Sequence, residues 1–333
     1  MNELQKTLID RKIDCNSIWF MRQAGRYLPE FRKIRSKNKD FIKLCFNSDL
    51  SSEITLQPIE RFDLDSAIIF SDILLVPHVL GQNVKFIKNK GPVLESFNLD
   101  KFLKNNPETF TKKMRPVYQA IKKTRKKLNN NKSLISFVGA PWTLITYMFG
   151  KDKKENIKNI FKDKKKLKII IDNLISYLCL HIKNQINAGS DVVQVFDSWA
   201  GMLEKRDLQD FCFQPNHEIV SFCNNNKVPV ICFPKGINTE YLNFNREVKP
   251  DGLNIDYEID PHWARANLKD VTIQGGMSPR VLLKADNEIY TEAKKYLDIF
   301  KDVPYIFNLG HGLIPETNPD KLSKLIKFVR QYK

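Results

Sequence analysis

Residues 192–233 read VVQVFDSWAGMLEKRDLQDFCFQPNHEIVSFCNNNKVPVICF, and this stretch decides the fold class. Two short apolar runs, residues 192–196 and 228–233, enclose a segment, residues 207–225, whose apolar side chains recur at intervals of three and four. This order predicts strand, helix, strand, and two strands joined by a crossover helix lie parallel. The runs are almost wholly apolar, which is typical of strands buried on both faces of a sheet.

The same alternation extends along the whole chain. Six further apolar runs predict strands, at residues 17–21, 67–70, 134–138, 252–255, 271–274 and 305–309. Further helical spacing occurs at residues 109–128, 167–188, 280–300 and 320–332. Eight strands with intervening helices predict an α/β fold, a single-domain (β/α)8 (TIM) barrel over residues 1–333. An open doubly wound sheet is the alternative, but no GxGxxG motif follows the first strand.

The composition bounds the class of partner. Apolar residues make up 42% of the chain, enough for a sizeable core, and the formal net charge is +16. The lysines are scattered over helical stretches such as residues 151–168, without the basic arms or interleaved aromatics of a nucleic-acid surface. We therefore expect no nucleic-acid partner, whereas a polyanionic small molecule is compatible with the charge.

Cysteine usage and hydropathy bear on metals and location. The six cysteines are Cys15, Cys45, Cys179, Cys212, Cys223 and Cys232. They form no CxxC pair and no close His/Cys cluster, so we expect reduced thiols and no zinc site. The amino terminus lacks the apolar core of a signal peptide, and no run approaches the roughly 20 apolar residues of a membrane span. The sequence predicts a cytosolic protein without membrane contact.

Polar residues follow most of the predicted strands. Active sites of (β/α)8 barrels lie where the strands end and the βα loops begin. The positions after the eight strands hold Arg22, Arg26, Asp72, residues 141–147, Asp197, Ser198, Lys235, Asp256, Gly275, Gly276 and His311. We expect these groups to converge on one face of the barrel.

Arginine and aspartate are the most informative of these residues. Arg22 and Arg26 flank Gly25 after the first strand, and paired guanidinium groups there suit binding of carboxylate or phosphate. Surface charge in a basic protein is the alternative. Asp72 lies between apolar residues, so burial would require a partner for its charge. It can bind hydrogen-bond donors of a ligand, or it can be a helix N-cap or a structural ion pair.

Three other segments remain open between a structural and a functional role. Thr143 can be a helix N-cap, with Tyr147 one turn further along the same face, but Tyr147 can also be an ordinary core tyrosine. His311 lies between two glycines at a strand end, which favours a substrate contact over a structural role. Residues 81–100 form a long excursion after the second strand, and such loops often cover a site.

These motifs together resemble the uroporphyrinogen decarboxylase family. The matching blocks are residues 19–31 (WFMRQAGRYLPEF), 70–74 (FSDIL), 139–147 (GAPWTLITY), 196–201 (FDSWAG) and 307–312 (FNLGHG). The resemblance covers the chain from about residue 10 to its carboxyl terminus. It implies a homodimeric (β/α)8 barrel that needs neither metal nor organic cofactor. The implied reaction converts the four acetate side chains of uroporphyrinogen III to methyl groups, giving coproporphyrinogen III and four CO2.

The resemblance also assigns roles to residues. Asp72 would accept hydrogen bonds from the pyrrole N–H groups and would be catalytic together with Arg22, the first choice for the group near proton transfer. The implied substrate-binding set is Arg22, Gln23, Ala24, Gly25, Arg26, Arg35, Asp72, Tyr147, Ser198 and His311. An arginine is normally too weak an acid to donate a proton, so the proton donor is left open.

Two departures and one rival family accompany the resemblance. Residues 252–256 read GLNID where Gly-Leu-Asp-Trp is frequent in the family, and residues 274–279 read QGGMSP where Gln-Gly-Asn-Leu-Asp-Pro is usual. A related barrel family transfers methyl groups at a zinc site that requires His-x-Cys. His311 is followed by Gly312 and Leu313, so that alternative is disfavoured.

Overall fold

The computed structural model describes residues 1–13, 17–87, 91–150 and 163–332. Cys15 and the first part of the lysine-rich stretch at residues 151–168 lie outside these residues. Within them the strands are β1 (Ser17–Ile18), β2 (Ser66–Ile68), β3 (Val84–Ile87), β4 (Gly91–Leu94), β5 (Ser133–Gly139), β6 (Val192–Asp197), β7 (Val230–Pro234), β8 (Gly252–Ile255), β9 (Thr272–Gly275) and β10 (Tyr305–Phe307). All eight predicted strands are confirmed, with the largest difference at β1, which ends at Ile18 and not at residue 21.

Eight strands form one parallel sheet that closes on itself. The hydrogen-bonded order is β1-β10-β9-β8-β7-β6-β5-β2. The two ends meet at Asp65, whose N–H donates to Ile18 O at 3.0 Å and whose Oδ2 accepts from Ile18 N at 2.6 Å. Arg330, near the carboxyl terminus, holds the same carboxylate with Nη2 2.8 Å from Oδ1. The predicted (β/α)8 barrel is therefore confirmed, with a side chain completing its seam.

Helices surround the barrel. Those in the described residues are α1 (Glu3–Ile9), α2 (Pro29–Lys37), α3 (Phe41–Cys45), α4 (Ser48–Arg61), α5 (Leu75–Val79), α6 (Leu99–Leu103), α7 (Pro107–Lys127), α8 (Pro141–Met148), α9 (Lys164–Asn187), α10 (Lys205–Leu208), α11 (Gln214–Asn225), α12 (Tyr241–Val248), α13 (Pro261–Asn267), α14 (Asp286–Phe300) and α15 (Pro319–Gln331). None of the helices in the described residues is both long and apolar enough to cross a membrane.

Two predicted helices differ from the observed ones. The segment at residues 207–225 contains a π-helical turn, Gln209–Phe213, between α10 and α11. The segment at residues 280–300 begins with a 3-10 turn, Pro279–Leu283, and the α-helix starts only at Asp286. Its apolar spacing continues across the break, but the backbone is extended at Lys284 and Ala285, and Glu288 Oε2 accepts a hydrogen bond from Ala285 N. This local cap starts a new helix.

The barrel interior is closed at its amino-terminal end. Leu4 and Leu8 of α1 pack among the inward-facing side chains of the strands and are almost fully buried. Above them lies a buried polar layer, in which Trp19 Nε1 donates to Gln274 Oε1 at 2.9 Å and Gln274 Nε2 donates to Asn254 Oδ1 at 2.6 Å. Within the described residues, α1 therefore fills the barrel interior from this end.

The excursion after β2 contains a small hairpin. Strands β3 and β4 pair antiparallel, and the connection at residues 88–90 lies outside the described residues. Phe86 packs on Phe41 with ring centroids 4.4 Å apart. A cavity of about 200 Å³ beside the hairpin is lined by residues such as Gln82 and Phe97, and by none of the predicted site residues. That the excursion covers the site stays a prediction.

Candidate active site

The loop after β1 is a tight turn that is held from within. Phe20 N donates to Gln23 Oε1 at 2.9 Å, and Gln23 N donates to Phe20 O at 3.0 Å. Arg22, inside this turn, has φ of 62°, a left-handed conformation that is uncommon for a non-glycine residue. A Cβ on Gly25 would lie 2.7 Å from Arg22 O, so only glycine fits there. Such strain is often found at functional sites.

The Arg22 side chain lies against the loop after β10. A Cβ on Gly312 would lie 2.5 Å from Arg22 Cδ, so the glycine makes room for the arginine. The side chain keeps solvent exposure, but the surrounding protein displaces part of its hydration and lowers its pKa. The charge of Arg26 lowers this pKa further, whereas Tyr147 and Asp72 raise it. Arg26, Tyr147 and Asp72 thus all lie within electrostatic range of the Arg22 guanidinium.

Asp72 follows β2 and is half-buried. Its Oδ1 accepts a hydrogen bond from Leu74 N at 2.8 Å. Desolvation by burial raises the pKa of Asp72 to about 6, against the opposing effects of the Leu74 N–H and the charge of Arg22. The N-cap position of α5 is Leu74, so the N-cap interpretation of Asp72 is wrong. One N–H bond uses a small part of the acceptor capacity of a carboxylate, which has about four sites.

Tyr147 and Ser198 come from neighbouring units of the barrel. Tyr147 lies on α8 and packs against Trp199, with ring centroids 5.9 Å apart, and Ser198 directly follows β6. Both are half-buried. The N-cap of α8 is Ala140, so the predicted N-cap role of Thr143 is wrong. The Thr143 hydroxyl donates instead to Asp197 Oδ1 at 2.6 Å.

His311 is a neutral imidazole at physiological pH. Burial lowers its pKa to about 4, and the charges of Arg22 and then Lys235 contribute to the lowering. A hydrogen bond with the backbone of Gly312 and the charge of Asp256 act in the opposite direction. A neutral imidazole has one N–H donor and one acceptor nitrogen, so His311 can hydrogen-bond a ligand group without carrying charge.

The remaining predicted site residues differ in their exposure to solvent. Gln23 is fully buried, and its Nε2 donates to Ser66 O at 2.8 Å, so its side chain holds the loop in place. Ala24 and Gly25 are half-buried and Arg26 is exposed. Arg35 is half-buried on α2, bonds to Asn38 O, and stacks with its guanidinium carbon 5.8 Å from the ring centre of Phe41.

Arg35 is nevertheless near the same region as Asp72. Burial raises the pKa of the Cys45 thiol well above its usual range, and the charges of Asp72 and Arg35 act on it in opposite directions. Both charges therefore lie within electrostatic range of one buried cysteine. Arg35 stands behind Phe41, whose ring also packs on Phe70, two residues before Asp72.

Some strand-end residues have structural partners. Asp256 is fully buried, and its carboxylate accepts hydrogen bonds from Gly236 N, the Tyr241 hydroxyl and Glu258 N at 2.8, 3.0 and 2.9 Å. Its hydrogen bonds thus connect the loops after β7 and β8. Among the residues that the structure describes, no group of three His, Cys, Asp or Glu side chains is placed to hold a metal ion.

Comparison with known proteins identifies the family. The family model described as uroporphyrinogen decarboxylase (URO-D) matches residues 1–332. The chain belongs to the uroporphyrinogen decarboxylase family. A uroporphyrinogen decarboxylase of Rickettsia felis is 40% identical over 324 residues, covering 95% of this chain and 93% of the relative. One from Wolbachia pipientis wMel is 39% identical over 339 residues, covering 99% and 100%.

Structural comparison agrees on the fold. A methyltransferase from Methanosarcina mazei superposes with a TM-score of 0.78 and 16% sequence identity, covering 99% of this chain and 97% of that protein. At this identity the likeness concerns the barrel alone. The family assignment rests on the match over the whole length and on the relatives near 40% identity.

Proposed function

We propose that this chain removes the four acetate carboxyl groups of uroporphyrinogen III as CO2 and leaves methyl groups, giving coproporphyrinogen III in porphyrin and heme biosynthesis. The observation that carries the proposal is the half-buried Asp72 with Arg22 in electrostatic range, past the carboxyl ends of β2 and β1 in a barrel of the uroporphyrinogen decarboxylase family. The substrate has the complementary pattern, with pyrrole N–H donors at its centre and carboxylates around its rim.

Asp72 would face the centre of the macrocycle. Its spare acceptor sites suit the converging pyrrole N–H groups, and these hydrogen bonds favour the ionised carboxylate and offset its desolvation. Protonation of a pyrrole carbon makes the ring cationic, and the fixed negative charge of Asp72 stabilises that cation. The electron pair of the breaking bond to CO2 then flows into the ring, and a proton adds to the remaining CH2. The ring carbon finally releases its proton.

The other residues would hold the rim. Arg22 and Arg26 supply cations for carboxylates, and the backbone at Ala24 and Gly25 lies between them. Tyr147, Ser198 and the neutral His311 can hydrogen-bond further carboxylates. The buried Gln23 side chain holds this loop through its bond to Ser66 O. Arg35, which lies over the Phe41 ring, adds positive potential to the site.

Arg22 is our first choice for the group nearest to proton transfer. Desolvation and the neighbouring Arg26 lower its pKa, which is the direction required of a proton donor. An arginine in proteins stays protonated, however, so positioning a carboxylate or a water molecule is a role that suits it as well.

We further propose that residues 1–333 form one decarboxylase domain that acts as a cytosolic homodimer. Pyrrole protonation supplies the electron sink, so the reaction needs neither a metal ion nor an organic cofactor. The absence of a matching His-x-Cys motif after β10 supports this choice over zinc-dependent methyl transfer.

The decisive experiment is anaerobic incubation of the purified protein with uroporphyrinogen III. Mass spectrometry of the products should show four successive losses of CO2, each of about 44 Da, ending at the tetracarboxylate. Absence of any decarboxylated product, from protein that melts cooperatively, would refute the proposed function.

A further inference from the structure

A second buried carboxylate lies one residue before Ser198. Asp197, the last residue of β6, is 1% exposed. Its Oδ1 accepts the Thr143 hydroxyl at 2.6 Å, and its Oδ2 accepts Asn216 Nδ2 at 3.2 Å. Burial raises its pKa to about 6, and these two hydrogen bonds favour the ionised form. Nothing in the proposed chemistry uses this group directly, so its burial needs another explanation.

Thr143 extends the contact to the site. Its oxygen, while donating to Asp197, accepts the backbone N–H of Trp199 at 3.1 Å. Trp142 Nε1 donates to Trp199 O at 3.0 Å. Both the backbone N–H and the backbone C=O of Trp199 are therefore bonded to side chains of α8. Thr143 and Tyr147 are four residues apart on that helix and therefore share a face. The Trp199 ring packs edge-on against Tyr147.

A third element joins the same carboxylate. Asn216, at the start of α11, also donates to Cys212 O at 2.8 Å, within the π-helical turn. Such turns are often found near functional sites. The backbone oxygen of Asp197 accepts Lys235 N at 3.1 Å, which connects the loop after β7. One buried residue therefore links α8, the loop after β6, the π-helical turn and the loop after β7.

We propose that Asp197 is a positioning residue that, through the hydroxyl of Thr143, fixes the separation between Tyr147 and Ser198. The two site residues are on different strand–helix units, so their spacing depends on a bridge between the units. The Asp197–Thr143–Trp199 chain is that bridge. The kinetic test of this role rests on the proposed decarboxylase function, because it measures turnover of uroporphyrinogen.

The best test removes the bridging hydroxyl and keeps the shape of the side chain. Thr143→Val deletes the donor to Asp197 and the acceptor for Trp199 N–H. Thr124→Val is the matched control, because Thr124 is equally buried and bonds Ser52 Oγ at 3.1 Å between α4 and α7, with no site residue in this contact. Thr143→Ser restores the hydroxyl.

The expected kinetic result is specific to the bridge. Thr143→Val should lower kcat/KM for uroporphyrinogen by about tenfold, since small misplacements of contact groups are costly. Thr143→Ser should keep most of the original kcat/KM. Thr124→Val should have a kcat/KM within about twofold of that of the unmodified protein, even if its melting temperature falls as far as that of Thr143→Val. Equal kcat/KM for the two valine variants would overturn the proposal.

A structural readout separates this inference from the proposed function. Hydrogen–deuterium exchange should speed up over residues 198–203 in Thr143→Val and not in Thr124→Val, because only the first loses the acceptor for Trp199 N–H. Unchanged exchange in that segment would overturn the positioning role. If the unmodified protein has no decarboxylase activity, the proposed function fails, and the exchange comparison alone still decides whether the bridge exists.

Discussion

Asp72→Asn should make the protein more stable at neutral pH while it removes activity. The pKa of Asp72 rises from its ordinary 3.8 to about 6 in the folded protein. As pH rises, the unfolded chain therefore loses this proton at a lower pH than the folded protein does. Between pH 3.8 and about 6, the folded state becomes less stable relative to the unfolded state as pH rises. At about 1.4 kcal/mol per pH unit, the ionised carboxylate costs about 3 kcal/mol above pH 6. Asn avoids this cost and keeps an oxygen for Leu74 N–H.

The loss of activity follows from the same charge. A carboxylate about 4 Å from a developing cation contributes about 4 kcal/mol at an effective dielectric constant of about 20. Its removal should slow turnover by on the order of 10³-fold. The residue would thus lower the stability of the folded protein and raise the rate of the reaction, a trade that is common at active sites.

Denaturant unfolding tests the predicted gain in stability, and a mass-based turnover assay tests the predicted loss of activity. The stability gain of Asp72→Asn should be near about 3 kcal/mol at pH 7.5 and about half of that at pH 5, because it shrinks as pH falls through 6 toward 3.8. Asp302→Asn, at an exposed position, is the control and should change neither quantity. A stability difference that does not vary with pH, or turnover within a few-fold of the unmodified protein, would refute the reasoning.

Three further predictions concern the rest of the site. Arg22→Ala should reduce kcat/KM by on the order of 10²-fold and Lys235→Ala by less than about tenfold, because paired charge-assisted hydrogen bonds exceed one flexible ammonium contact; equal losses in steady-state kinetics would make Arg22 one charge among many. Gly312→Ala should lower kcat/KM by about tenfold with little change in melting temperature, because the new Cβ would lie 2.5 Å from Arg22 Cδ; an unaltered kcat/KM would show that Arg22 need not be held there. Dialysis against a chelator should leave the decarboxylation rate unchanged, and a loss restored by added zinc would favour methyl-transfer chemistry.

The barrel could be predicted because its signal is local and repeated. Each strand is a short apolar run, and each long helix carries its own spacing of three and four, so eight strands followed from the sequence. The closure could not be predicted in this way. It depends on Asp65, whose partners Ile18 and Arg330 lie 47 and 265 residues away.

The same distinction applies to the site. Arg22 and Asp72 each lie four residues past the end of a strand, β1 and β2, so the barrel predicts that they lie near one another. Thr143 was assigned to the wrong role because its partner, Asp197, lies 54 residues along the chain. The inward orientation of Gln23 depends on Ser66 O, 43 residues away. Side-chain partners that meet only in the folded barrel leave no periodic pattern in the sequence.

The pairing of β1 with β10 has a consequence for the order in which the site is completed during synthesis. The loop of Arg22 is held by residues that follow β10. Met21 N donates to Asn308 Oδ1 at 3.2 Å, and Leu313 N donates to Met21 O at 2.9 Å. A nascent chain that has not reached residue 305 has the arginines but not the structure that fixes them. If this loop binds carboxylates as proposed, we expect a product truncated before residue 305 to bind uroporphyrinogen weakly, because residues 308–313 are needed to hold the loop.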